Sequence, residues 1–128
     1  MKIAFVTPEL QSLVRRTSLA EVSESLARTL RQEGGEVRVF LPYHADLQLA
    51  PLADLHTAGE VKVKDGPAKT SVLVHTALLG DLPIVLIDHP QLFRSRHPYG
   101  DDEGPYPDNW RRYAVFCRAV LELSLIHI

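Results

Sequence analysis

The chain has 128 residues, 45% of them apolar and 23% charged, with a net charge of -2. This suffices for one compact domain and excludes a disordered chain, while the near-neutral balance excludes the basic footprint of a general nucleic-acid binder. No stretch is long and apolar enough to span a membrane as a helix, and a lone cysteine, Cys117, excludes an internal disulfide and suits a reducing cytoplasm.

Lys2-Ile3-Ala4-Phe5-Val6-Thr7 is a short apolar run of the kind that forms a parallel strand buried on both faces. Because Lys2 leads directly into it, no signal peptide is expected. Pro8 closes the strand, since proline removes the next ladder donor. An irregular loop over residues 9–14 precedes a helix over residues 19–33, in which Leu19, Val22, Leu26 and Leu30 form one apolar stripe that is expected to face the core. Glu24 and Arg28 add an i,i+4 pair, and Gly34-Gly35 is the stop. Val37-Arg38-Val39-Phe40-Leu41 is a second strand, so residues 2–41 read as one right-handed strand–helix–strand unit.

A helix that starts just after a parallel strand directs free N–H groups and its positive dipole end to the sheet's C-terminal edge. Arg15 and Arg16 stand just before this helix. They read either as phosphate-binding donors or as solvated loop charges.

Residues 46–55 read as a loop with room for one short helix. Residues 59–64 and 70–79 form a hairpin around Asp65-Gly66-Pro67, and residues 82–88 a buried strand. Asp88 and His89 point apart on a strand, so Asp88 is expected to cap a turn rather than to pair catalytically with His89. Residues 94–107 are polar, carry Tyr99 and Tyr106 on an open loop, and hold Asp101, Asp102 and Glu103 in a spacing unlike a calcium loop. The six histidines show no zinc spacing, and no metal or cofactor is expected. A last helix begins at Asp108, with Trp110, Tyr113, Ala114, Cys117, Val120, Leu121 and Ser124 as its packing stripe.

Met1-Lys2-Ile3-Ala4-Phe5-Val6-Thr7-Pro8-Glu9, Leu19-Ala20-Glu21-Val22, Glu36-Val37-Arg38-Val39-Phe40-Leu41-Pro42-Tyr43 and Ile87-Asp88-His89-Pro90-Gln91-Leu92-Phe93 together resemble the N-terminal domain of bacterial glycogen synthase and plant starch synthase. Tyr99-Gly100-Asp101, Tyr106-Pro107-Asp108-Asn109, Arg112-Tyr113, Phe116 and Leu121-Glu122-Leu123 extend the likeness. The resemblance implies an α/β, Rossmann-like N-terminal domain of a GT-B glycosyltransferase, here incomplete, with a mostly parallel sheet and a β-hairpin insertion. It implies transfer of glucose from ADP-glucose to the non-reducing end of an α-1,4-glucan with retention, without a metal. It covers residues 1–123, and residues 124–128 depart from the family pattern.

Where the family reads Lys-Thr-Gly-Gly-Leu-Ala-Asp-Val, this chain reads Arg15-Arg16-Thr17-Ser18-Leu19-Ala20-Glu21-Val22. The resemblance therefore places Arg15, Arg16, Thr17, Ser18 and Glu21 on the donor side and Tyr99 on the glucan side; it assigns no catalytic residue within this stretch. Thr17 and Ser18 add side chains where the family has glycines. Ser18-Leu19-Ala20-Glu21 also spells a capping box, which would set a carboxylate beside the donor phosphates. Three readings follow: a fragment of an ADP-glucose glucosyltransferase, inactive alone; a non-catalytic glucan-binding paralogue with a degenerate donor loop; and a stand-alone nucleotide-binding module.

Overall fold

The computed structural model describes residues 1–127, with the side chains of residues 1–124; the remainder of the expected departure at residues 124–128 lies outside the described side chains. In chain order the elements are β1 (Lys2–Val6), α1 (Leu19–Gln32), β2 (Glu36–Pro42), β3 (Ala53–Asp65), β4 (Ala68–Leu79), β5 (Leu82–Asp88), β6 (Gly100–Asp101), β7 (Gly104–Pro105) and α2 (Asn109–His127). Five strands form one sheet in the order β1-β2-β5-β4-β3. β1, β2 and β5 run parallel, and the β3–β4 hairpin joins β5 antiparallel.

Alternation along β2 and β5 divides the core in two. Val37, Val39, Leu41, Leu82, Ile84 and Leu86 face the α1 side, where Leu10, Leu13, Val14 and Ala27 cover them. Phe40, Val85 and Ile87 face the α2 side and meet Phe93, Val115, Phe116, Ala119, Val120 and Leu123.

Helix α1 departs from its expected packing. Its buried residues are Ala20, Ser23 and Ala27, while Leu19, Val22 and Leu26 are exposed. Small side chains bring the helix axis close to the sheet, and the Ser23 hydroxyl meets the Thr7 hydroxyl at 2.9 Å, pinning the helix to the end of β1. Leu30 alone of the expected stripe packs against the core. The expected stop holds: Gly34 has φ 97°, and a Cβ on Gly35 would lie 2.9 Å from the Leu30 carbonyl oxygen. The Glu24–Arg28 pair also forms, at 3.5 Å.

β1 is an edge strand with alternate residues exposed, not a strand buried on both faces. Residues 46–52 form no helix, and β3 begins earlier than expected, at Ala53, with register shifts near Ala53 and Thr57 that a period-two pattern does not reveal. Helix α2 keeps only part of its expected stripe: Tyr113 and Val120 pack on the core, but Trp110 is 76% and Leu121 63% exposed, and Cys117 is exposed rather than core. Val115, Phe116, Ala119 and Leu123 take the inner face, together with Arg112.

Candidate functional site

The C-terminal ends of the three parallel strands converge on one edge. From β1 come Thr7, Pro8 and Glu9, from β2 Tyr43, His44 and Asp46, and from β5 Asp88 and His89; the segment 15–18 crosses above the end of β1 into α1. Residues 15–18 are all exposed, so the loop is open to solvent, while Glu9 beneath it is fully buried.

Glu9 organises this edge. Its carboxylate accepts hydrogen bonds from the Arg16 N–H at 2.6 Å, the Thr17 N–H at 2.7 Å, the Thr17 hydroxyl at 2.7 Å, and the Tyr99 hydroxyl. Burial alone would raise the Glu9 pKa, but the bonds from Tyr99, Thr17 and Arg16 outweigh it and hold the carboxyl below its usual value. Tyr99 is pushed up in turn, by burial and by the Glu9 carboxylate. One acid thus ties Tyr99, on the expected glucan side, to the expected donor loop. Glu9 is not among the site residues read from the sequence. The signal was a carboxylate at the C-terminal end of a parallel strand, where ligand-facing groups gather.

The two arginines are engaged as well. Arg15 forms an ion pair with Glu21 across an exposed gap. The Arg16 guanidinium meets the Asp46 carboxylate and, at 3.0 Å, His97 Nδ1. The expected capping box therefore does not form. Ser18 has helical backbone angles, φ -65° and ψ -14°, and makes no side-chain cap, while Glu21 turns outward to the full positive charge of Arg15 instead of back to one N–H. The Thr17 hydroxyl accepts from the Leu19 N–H at 3.2 Å in its place.

Tyr99 and Tyr106 are partly buried, not open: Arg112 and Arg96 lie over the Tyr106 ring, and β6 and β7 close a small hairpin just after Tyr99. Asp88 and His89 do point apart, but the capping role falls to His89. Its Nδ1 accepts from the Gln91 and Leu92 N–H groups at the start of a π-type turn, Pro90–Arg94. Buried Asp88 accepts instead from His75 Nε2 at 2.8 Å and from Arg94, whose guanidinium stacks 4.0 Å from the Tyr43 ring centroid. Asp108 sits where the cap was expected, with its carbonyl accepting from the Arg112 N–H, but its carboxylate is taken by Arg96. Among the described residues no three His, Cys, Asp or Glu side chains gather as a metal site, and no helix is long and apolar enough to cross a membrane.

A mostly parallel sheet whose first strand delivers a basic loop to a helix N-terminus belongs to the Rossmann-like α/β class, with its ligand edge at the C-termini of the parallel strands. Residues 2–126 match the sequence profile of the starch synthase catalytic domain, and the chain belongs to that family. It is 38% identical over 124 residues to a glycogen synthase of Geotalea uraniireducens, covering 96% of this chain and 25% of that protein. It is 34% identical to glycogen synthase 2 of Geobacter sulfurreducens, over 95% of this chain and 25% of the relative. The catalytic domain of starch synthase IV from Arabidopsis thaliana, solved with ADP and acarbose bound, superposes with a TM-score of 0.83 at 25% identity, over 95% of this chain and 24% of the solved one. The chain therefore spans about a quarter of the length of these relatives.

Proposed function

We propose that this chain is the donor-loop portion of an enzyme that transfers glucose from ADP-glucose to the non-reducing end of an α-1,4-glucan, with retention. On this reading the 128 residues alone carry no transferase activity, and the activity resides in the longer polypeptide of the family. The observation that carries the reading is the exposed 15–18 loop between β1 and α1, with two guanidinium groups at the C-terminal edge of the sheet. Planar guanidinium forks suit a diphosphate. The ADP and acarbose held by the Arabidopsis relative support the same pair of ligand classes.

In the unliganded arrangement the protein's own acids occupy the donors. Glu21 holds Arg15, Asp46 holds Arg16, and Glu9 holds the Arg16 and Thr17 N–H groups. A diphosphate engages Arg15 by displacing Glu21, which lies exposed and can swing away, whereas Glu9 is buried and stays. Three carboxylates facing two arginines favour a second reading, a non-catalytic glucan-binding paralogue.

Grafting residues 1–124 in place of the matching quarter of the Geotalea uraniireducens glycogen synthase separates the two. The enzyme reading expects the chimera to incorporate radiolabelled glucose from ADP-glucose into glycogen. Retained glycogen binding with no incorporation would reject it in favour of the paralogue. Saturable ADP binding by the 128-residue chain alone would favour a free-standing nucleotide module.

A further inference from the structure

Arg16 has two partners, and they can also pair with each other. One guanidinium nitrogen, Nη2, meets Asp46 Oδ2 and lies 3.0 Å from His97 Nδ1. A guanidinium only donates, so His97 accepts here and its Nδ1 carries no proton. The same Nδ1 stands 3.6 Å from the other Asp46 oxygen, Oδ1, which is buried and has no hydrogen-bond partner among the described residues. One ring nitrogen thus faces a donor and an unsatisfied acceptor at once, and its proton decides which of them it serves.

The surroundings hold His97 in place. Its backbone N–H donates to the Tyr106 hydroxyl at 3.2 Å, and its carbonyl accepts from Arg112 at 2.9 Å. The loop that carries Asp46 is tied to the same segment, because the Ala45 N–H donates to the Arg96 carbonyl at 2.8 Å. Among the charged groups on the packed elements, Arg16 of the donor loop and Arg112 of α2 oppose a proton on the ring, and Asp46 of the loop after β2 favours one. Arg96 is paired with Asp108, while His44 and Glu9 are buried and bonded to the Pro8 carbonyl and to the donor loop. The His97 side chain is 44% exposed, so a proton reaches it from solvent.

Histidine is the side chain whose charge changes between about pH 5 and 8. A proton on His97 Nδ1 ends its hydrogen bond with Arg16 and sets two cations against each other, while Asp46 Oδ1 gains a donor a short approach away. We propose that His97 is a positioning residue for Arg16: its protonated ring takes over Asp46, and Arg16 is released towards the donor diphosphate beside Arg15. While His97 is neutral, Arg16 and Asp46 cancel; a proton on the ring leaves one positive charge over at the mouth of the loop, which favours an anion. Proton and donor are therefore linked, each raising the affinity for the other by the same factor. The inference rests on the glucose-transfer reading for the identity of the anion, but the exchange among Arg16, Asp46 and His97 stands on their own geometry.

Two measurements test it. In the 128-residue chain, NMR follows the His97 ring through its titration. Asp46→Asn should lower the midpoint, because the anion that holds the protonated ring is gone, and Arg16→Ala should raise it, because an opposing cation is removed. In the Geotalea chimera, the KM for ADP-glucose should fall roughly five-fold or more from about pH 8 to about pH 6, with kcat little changed. The diphosphate of ADP-glucose links two esters and lacks the phosphomonoester proton that titrates in that range, and variants of one chimera share every other titrating group. His97→Gln, whose amide oxygen still accepts from Arg16, should keep the KM near its alkaline value throughout, whereas Asp46→Asn should keep it near its acid value. A His97 midpoint indifferent to both substitutions would overturn the proposal, and so would a pH dependence of KM that survives intact in His97→Gln. A chimera that transfers no glucose would reject the glucose-transfer reading instead, and the two midpoints would still decide the exchange.

Discussion

Arg112→Ala is expected to cost about 4 kcal/mol or more, a large part of the roughly 5–15 kcal/mol that holds a domain of this kind folded. Arg112 is fully buried and has no carboxylate among its hydrogen-bond partners. Its guanidinium donates to the carbonyls of Leu92, His97 and Pro98 and to Asn109 Oδ1, and it lies over the rings of Phe93, Tyr106 and Tyr113. Burial pulls its pKa below the ordinary guanidinium value, yet a guanidinium stays charged at neutral pH. Truncation leaves the Leu92 and His97 carbonyls and Asn109 Oδ1 without this donor, while the Pro98 carbonyl keeps the Tyr113 hydroxyl; the cost is about 1–3 kcal/mol for each that water cannot reach, and a cavity opens among the three rings. Arg112→Lys should recover less than half of the loss, because one ammonium cannot span acceptors spread along residues 92–109. Urea unfolding followed by circular dichroism measures both. A midpoint unchanged in Arg112→Ala would mean that the loop does not depend on this cage.

The second large effect is acid sensitivity through His44. This ring is fully buried, its Nε2–H donates to the Pro8 carbonyl at 2.9 Å, and its Nδ1 has no partner among the described residues. Burial, helped by the Arg112 charge, pushes its pKa down to about 4, against the opposing pull of the Pro8 carbonyl, Asp46 and Glu9. The folded state therefore keeps His44 neutral while the unfolded chain takes up a proton below about pH 6.5. Stability present above that pH is lost as pH falls towards the folded value, by roughly 2–3 kcal/mol between about pH 6.5 and about pH 4.5. His89, lowered chiefly by burial, adds in the same direction. The lowered carboxyls of Glu9, Asp65 and Asp108 add theirs mainly at more acid pH, because their unfolded values lie lower. His44→Gln should flatten the pH dependence of the unfolding free energy in this window. The same slope in the variant and the parent would reject the assignment to His44.

The strand–helix–strand opening, the hairpin and the last buried strand were legible because each follows a single period of apolar residues ended by glycine or proline. The apolar stripe of α1 was legible as a stripe, but its direction was not. Sequence ranks Leu19, Val22 and Leu26 above Ala20, Ser23 and Ala27 as core, whereas the helix uses the small residues to approach the sheet and leaves the large ones outside. Arg112 reverses the usual rule in α2: a charged residue goes inward because carbonyls and rings from residues 92–113 wait for it. Cys117 faces outward as a result.

At the candidate site the family resemblance singles out the loop over residues 15–18 but not its internal bonds. The spacing of Ser18 and Glu21 suggests a cap, yet Arg15 offers Glu21 a full charge on the same side. The bonds from Glu9 to residues 16, 17 and 99 join positions up to 90 apart in sequence, which no local pattern encodes.

The central claim is that Arg15 receives the donor diphosphate once Glu21 releases it. Its most direct test is the KM for ADP-glucose in the Geotalea chimera with and without Arg15→Ala. Loss of one charge-assisted phosphate contact should raise that KM by roughly 10–100-fold while leaving the KM for glycogen unchanged. An unchanged KM for ADP-glucose, or a rise shared equally with glycogen, would contradict the placement of the donor phosphates at this loop.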